Sequence, residues 1–343
     1  MTVPAMSDST FSAESCTAIL FITSNSLGDA VLSTGILGWL METHKEARLT
    51  VVAGLLPAPL FTMAPGIHTV IPLRKKPWSR HWLDLWLDLR GQQWDLIVDL
   101  RNTAVSRLLR ARKRIVFPGS AKPIPKSVQL ARLFGISPPP LPRLWLTPDI
   151  QAAGDSLLAT DRASTLSPLL APILALAPAA NWAGKQWPPE RFAALALALT
   201  AENGILPHGR IAIFAAHHER AQLAQLYEAL ARSTFPPGRV IDLVGRTDIA
   251  LAAACLARAK LFIGNDSGPM HMAAALGVPT LGLFGHSDER VYGPQGPNTA
   301  AIRTPESLVE LQKLRAPGLM LSLGAPEVQA AAERLFKAAD RTP

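Results

Sequence analysis

The chain has 343 residues, 48% of them hydrophobic and 17% charged, which excludes a disordered chain and exceeds the ~250 to 300 residues at which a single core stops growing. Two domains of ordinary size are expected. Its 34 basic and 26 acidic residues leave a net charge of +8, which points to an anionic partner: nucleic acid, a membrane or a charged substrate.

Residues 1–16 carry Asp8 and Glu14 without a basic start and read as a loose polar leader, not a signal peptide. Short apolar runs then alternate with helical patterns, the signature of parallel βαβ units. Strands are expected at 18–23, 49–53, 69–72, 96–99 and 114–117, with helices at 30–43 and 103–111. Between 138 and 148 the text turns to proline (PPPLPRLWLTP), which marks the approach to a boundary between a first domain, 17–160, and a second, 161–343. The uncharged stretch 163–184 is broken by Pro168, Pro172, Pro178 and Asn181, so it reads as containing a buried strand and not a membrane span. A second series follows, with strands at 173–177, 211–215, 240–242, 261–263 and 280–284 and helices at 189–201, 219–233, 249–258 and 269–276. Two open parallel sheets imply a crevice lined by strand-to-helix loops.

Four such loops could carry chemistry. In Ser24-Asn25-Ser26-Leu27-Gly28-Asp29, Asp29 is either a helix N-cap or a general base facing the crevice. Gly264-Asn265-Asp266-Ser267-Gly268-Pro269-Met270-His271 opens a helix, and serves either as simple capping or as an anion site on free N–H groups at the positive dipole end. In Asn181-Trp182-Ala183-Gly184-Lys185, Lys185 is either solvated or aimed at a phosphate. His217-His218-Glu219-Arg220 suggests a metal, but HExxH would need histidine where Gln222 stands.

Absences narrow the choice. No G-x-G-x-x-G follows a strand, and no Walker loop, G-x-S-x-G or D-x-D pair occurs. Cys16 and Cys255 form no CxxC, so neither a disulfide scaffold nor structural zinc is expected, and the cytoplasm is the default compartment. Tyrosine occurs only at Tyr227 and Tyr292, so the aromatic interleaving of a nucleic-acid surface is missing and no nucleic-acid partner is expected.

Four blocks, in order, are AILFITSNSLGDAVLSTGIL, WDLIVDLRNTAVSRLL, NWAGKQWPPERFAAL and DLVGRTDIALAAACLARAKLFIGNDSGPMHMAAALGVPTLGLFGHSDERVYGPQGP. Together they resemble glycosyltransferase family 9, the lipopolysaccharide heptosyltransferases and their relatives. The resemblance implies an α/β protein of GT-B architecture: two Rossmann-like domains facing a central cleft, acceptor on the first and nucleotide-sugar donor on the second. It implies inverting, metal-independent transfer without a cofactor, most simply of heptose from ADP-heptose, or of another ADP- or UDP-sugar, onto a lipopolysaccharide core or related glycan. Asp29 then matches the family's base. Lys185, Asp266, Ser267 and Gly268 match its diphosphate contacts and Glu219 its nucleoside contact, while Pro269, Met270 and His271 belong to the same donor block; Ser26, Gly28, Arg101 and Asn102 fall in the acceptor-side loops.

Two departures bear on the donor: Ala177-Pro178-Ala179-Ala180-Asn181-Trp182 stands where the family has a histidine-proline-glycine-like turn, and Ala215-Ala216 replaces a glycine pair. A non-catalytic or differently specific sugar-nucleotide or glycolipid binder is the alternative they support. The charge is also uneven. Ten basic residues and no acidic one lie between Arg101 and Arg143, among them Arg112, Lys113, Arg114, Lys122 and Lys126. That surplus suggests peripheral attachment to the anionic cytoplasmic face of the inner membrane, with an anionic glycolipid as acceptor.

Overall fold

The computed structural model describes residues 17–119, 123–160, 171–314 and 316–341. The expected leader, Cys16, Lys122 and part of the uncharged stretch, 163–170, lie outside the described residues. The first series is β1 (Ala18–Ile22), α1 (Leu27–Thr43), β2 (Arg48–Gly54), α2 (Ala58–Thr62), β3 (Ile67–Leu73), α3 (Arg80–Leu89), β4 (Trp94–Asp99), α4 (Ala104–Leu108), β5 (Ala111–Val116), α5 (Lys126–Arg132) and α6 (Pro148–Thr160). The second is β6 (Ile173–Ala177), α7 (Pro189–Thr200), β7 (Arg210–Ile213), α8 (Ala224–Arg232), β8 (Val240–Asp242), α9 (Ile249–Leu256), β9 (Leu261–Asn265), α10 (Gly268–Ala275), β10 (Thr280–Phe284), α11 (Glu289–Tyr292), β11 (Thr299–Arg303), α12 (Leu308–Lys313) and α13 (Ala325–Ala339).

Among the described residues the strands form two parallel sheets, ordered β3-β2-β1-β4-β5 and β11-β10-β9-β6-β7-β8. The central strands AILFI and ILALA are buried at every position, as a parallel sheet covered on both faces requires. Their pleat sends alternate side chains to opposite layers. Ile19 and Phe21 meet Ile36 and Leu37 of α1 and Leu130 of α5, whereas Leu20 and Ile22 meet Leu85 and Leu89 of α3 and Val105 of α4. In the second sheet Leu174 and Leu176 pack with α7, α8 and α13, and Ala175 and Ala177 with α6, α9 and α10.

The lobes meet through α1. Eleven of its 17 residues are buried, because Leu27 and Val31 join the core beneath α9 and α10 while another face covers the first sheet; a helix apolar on all sides is a buried one. The proline-rich connector runs across α1 at two glycines. A Cβ at Gly35 would lie 2.3 Å from the Pro140 carbonyl oxygen, and one at Gly38 2.2 Å from the Arg143 guanidinium. The Arg143 N–H donates to Thr34 Oγ1 (2.9 Å) and its guanidinium pairs with Glu42 (2.7 Å). Helix α6, inside the range expected for the first domain, packs on α9 of the second sheet: Gly154 sits against Ala254, and Arg258 pairs with Asp155 at 2.6 Å. By packing, α6 is part of the layer that covers the second sheet. Burial there pushes the Cys255 thiol up to about 12, so it is inert.

Two expected helices change. The one at 103–111 ends at Leu108 because Leu109 is extended, and edge strand β5 begins at Ala111 with the Arg114 guanidinium donating to the carbonyls of Ser106 and Leu109. The one at 219–233 divides into a 3-10 stretch, His217–Leu223, and α8, with the turn held by Glu219 Oε2 accepting from the Ala216 N–H at 2.8 Å. Among the described residues no helix is long and apolar enough to cross a membrane.

Candidate active site

Three of the four loops singled out from sequence converge at the carboxyl ends of β1, β6 and β9, and the fourth, His217 to Arg220, follows β7. In the first, the N-cap of α1 is Ser26, exposed and without a side-chain cap bond, and Asp29 is the third helical residue. This removes the capping alternative for Asp29. Half-buried, it makes no hydrogen bond among the described residues, but it lies within electrostatic reach of Lys126, His271 and Tyr292.

Across the cleft, Lys185 is not a solvated lysine. Its Nζ donates to Asp266 Oδ2 at 2.6 Å, with the side chains 27% and 8% exposed. Lys185 sits in a 3-10 turn anchored by Trp187, whose backbone N–H donates to Asn265 Oδ1 (3.1 Å) and whose indole donates to the Leu323 carbonyl (2.7 Å). Asn265 donates in turn to the Pro178 carbonyl at 2.7 Å. One buried amide thus ties the β6 loop to the β9 loop and aims the ammonium at the tip of α10.

That tip has polar groups to spare. Ser267 is the N-cap of α10 but accepts no capping bond, and its buried Oγ has no partner among the described residues; neither has Nδ1 of His271. Orphaned buried polar atoms beside the open N–H groups of Gly268 and Met270 mark a place for an anionic or hydroxylated ligand. Pro269 has no N–H to give, and the Met270 side chain is fully buried beneath Gly282, so only its backbone faces the site. His271 Nε2 stands 3.9 Å from Asp266 Oδ1. Burial lowers the His271 pKa below 6.5, partly opposed by Asp266 and Asp29. The folded chain therefore declines a proton that the unfolded chain accepts below pH 6.5, and stability is lost as pH falls from there toward the folded pKa. The melting temperature should drop on acidification from pH 7 to 5.5, with a shallower slope in His271→Gln; equal slopes would refute the assignment.

The two helix tips touch. A Cβ at Gly28 would lie 2.7 Å from the His271 ring, and one at Gly268 2.4 Å from Leu27. Glycine at both places lets the carboxylate of Asp29 approach the α10 tip.

Other expected residues stand further out. Glu219 is half-buried and caps its own turn. Arg101 donates to Asn25 Oδ1 at 3.1 Å and lies 4.8 Å over the Trp82 ring, so it braces the β1 loop. Asn102, exposed at φ +57, binds Arg107 and shapes a turn. The Ala179-Ala180 turn is buried, with the Ala180 carbonyl accepting from Gln186, which also donates to Gln222 (2.8 Å). Sequence reasoning passed over two residues. Lys126, at the start of α5, lies 4.0 Å over the Phe117 ring with its pKa lowered by burial; it was counted only within the basic run. Tyr292 on α11 has its pKa raised by burial and then by Asp29 and Asp266. Its only signal was its place after GHSDERV.

Two parallel α/β lobes presenting a carboxylate and a helix tip with unpartnered polar atoms to one cleft have the GT-B architecture of a glycosyltransferase. The family glycosyltransferase family 9 (heptosyltransferase) matches residues 146–316, and the chain belongs to it. The lipopolysaccharide heptosyltransferase 2 of Salmonella typhimurium is 25% identical over 83% of this chain and 87% of its own length. Among solved structures, a family 9 glycosyltransferase of Veillonella parvula superposes with a TM-score of 0.76 at 18% identity, covering 94% of this chain and 98% of its own. An Escherichia coli heptosyltransferase with ADP superposes at 0.66 and 21%, covering 93% and 100%.

Proposed function

We propose that this glycosyltransferase moves heptose from ADP-heptose onto a hydroxyl of a lipopolysaccharide-core glycolipid, with inversion, without a metal and without a cofactor. The observation that carries the reading is the meeting of Asp29 with the Lys185–Asp266 pair and with the unpartnered Ser267 Oγ and His271 Nδ1 at the α10 tip. Asp29 takes the proton as the acceptor oxygen bonds to the anomeric carbon. The bond from that carbon to the diphosphate breaks on the opposite face, and the diphosphate departs with the electron pair. Lys185 and the N–H groups of Gly268 and Met270 stabilise the charge that develops there, aided by the helix dipole. Asp266 holds Lys185 in place, Glu219 borders the nucleoside, and Ser26, Gly28, Arg101 and Asn102 frame the acceptor side. The relatives support this donor: one is named a lipopolysaccharide heptosyltransferase and one structure carries ADP. The basic first lobe supports an anionic glycolipid acceptor and a place on the cytoplasmic face of the inner membrane.

A panel of ADP-, UDP-, GDP- and CMP-sugars tests the donor by thermal shift. An ADP-sugar should stabilise the fold by about 2.7 kcal/mol at a hundred times its Kd. A different winner would reassign the nucleotide. The absence of any shift would favour the non-catalytic reading, for which the altered Ala179-Ala180 turn speaks.

A further inference from the structure

The outer face of α3 has no cover. His81, Leu85 and Leu89 are buried against the first sheet, and the opposite stripe, spaced i, i+3, i+7 and i+10, is Arg80, Leu83, Leu87 and Arg90, all exposed. Leu83 and Leu87 are 53% and 47% accessible. Just before the helix, Trp78 is 96% accessible, on a backbone that is left-handed at both Trp78 and Ser79 (φ +55). A β-linked indole held out at an unfavourable angle gains nothing inside this fold. Exposed Leu108 on α4, which packs beside α3, extends the apolar face. Residues 74–90 carry five basic and two acidic side chains, and of the acidic pair Asp84 is bound by Lys76 at 2.7 Å.

We propose that this face docks on an anionic lipid bilayer, with Trp78, Leu83 and Leu87 entering the headgroup boundary and Arg74, Lys75, Arg80 and Arg90 binding headgroups. An amphipathic helix with a basic rim and an aromatic at its edge has the composition of an in-plane interfacial helix, and the charge complementarity selects anionic lipid over an uncharged protein surface. The face is joined to the cleft: Trp82 of the same helix lies under Arg101, which donates to Asn25 in the loop leading to Asp29. The basic cluster Arg112 to Arg114 is worse placed, since Arg114 serves backbone carbonyls and Arg112 faces Asp95 at 3.3 Å. The purpose of docking, presentation of a lipid-borne acceptor, rests on the proposed function; the docking itself does not.

Flotation of the full chain with phosphatidylethanolamine–phosphatidylglycerol vesicles, against neutral phosphatidylcholine vesicles, tests it. Binding should require the anionic lipid. Each basic residue near the surface is worth about fivefold in partitioning, so Lys75→Glu with Arg80→Glu should weaken it more than tenfold, and so should Leu83→Gln with Leu87→Gln. Trp78→Asn, which suits a left-handed residue, should weaken it while leaving the melting temperature unchanged or raised. Donor thermal shifts should stay as in the parent. Flotation of the variants equal to that of the parent would overturn the proposal, as would a change in oligomeric state by light scattering with vesicle binding intact, which would make the face a contact between copies. Vesicle binding without any donor shift would leave the docking standing and remove the proposed reaction.

Discussion

Asp29→Asn should lower kcat by roughly 10² to 10⁴, the range for loss of a general base, while leaving donor affinity nearly unchanged. The substitution keeps the shape and the helical position, so it isolates the charge. Asp29 spends its carboxylate on no cap and no hydrogen bond among the described residues, so little folding energy is at stake, and the melting temperature should move by no more than a surface substitution does. Single-turnover rates with saturating donor, set beside a donor titration, separate the two effects. Turnover equal to the parent's would remove Asp29 from the chemistry; lost donor binding would place it in the donor pocket instead. Lys126, which shares the electrostatic neighbourhood of Asp29, makes an informative companion: Lys126→Met should impair use of an anionic acceptor more than it impairs donor binding.

Removal of Lys185 has the second largest expected effect, and it is composite. Lys185→Met should cost roughly 10² to 10³ in kcat if the ammonium stabilises the departing diphosphate as a fixed electrostatic donor does. It also strands the buried Asp266 carboxylate, and breaking such a pair from one side costs about 3 to 5 kcal/mol when fully buried, less here because Lys185 is partly exposed. The double variant Lys185→Met with Asp266→Asn separates the contributions. Stability should largely return in the double variant and catalysis should not. Recovery of both would mean that the pair is only a strut between the β6 and β9 loops.

The sheets were legible because parallel strands buried on both faces are written as unbroken apolar runs; ILALA and TLGLF admit no other period. Less visible were elements whose reason lies elsewhere in the fold. The amphipathic α13 comes after the last motif and is explained only by the packing of Val328 and Leu335 on the second sheet's core. The 3-10 stretch at His217–Leu223 depends on the Glu219 cap, which a helical period hides. At the site, residue types at strand ends indicated Asp29, Lys185 and the α10 tip, but their relationships were not linear. Nothing local says that Lys185 is paired with Asp266, or that Asn265 is the stitch between loops. Lys126 and Tyr292 come to the site from elements distant in sequence, so only the fold could nominate them.

The contact between the two helix tips has a mechanical consequence. Gly28 against the His271 ring and Leu27 against Gly268 are van der Waals contacts, without hydrogen bond or ion pair. The same seam buries Leu27, Val31 and Leu60 in one core with residues of α9 and α10, and Ser127 Oγ donates to Gln295 Oε1 beside it, so the distance between the tips is set by close-packed side chains that yield little to compression. A larger residue at Gly28 or Gly268 would act as a wedge, and would change the spacing between Asp29 and the α10 tip without touching either.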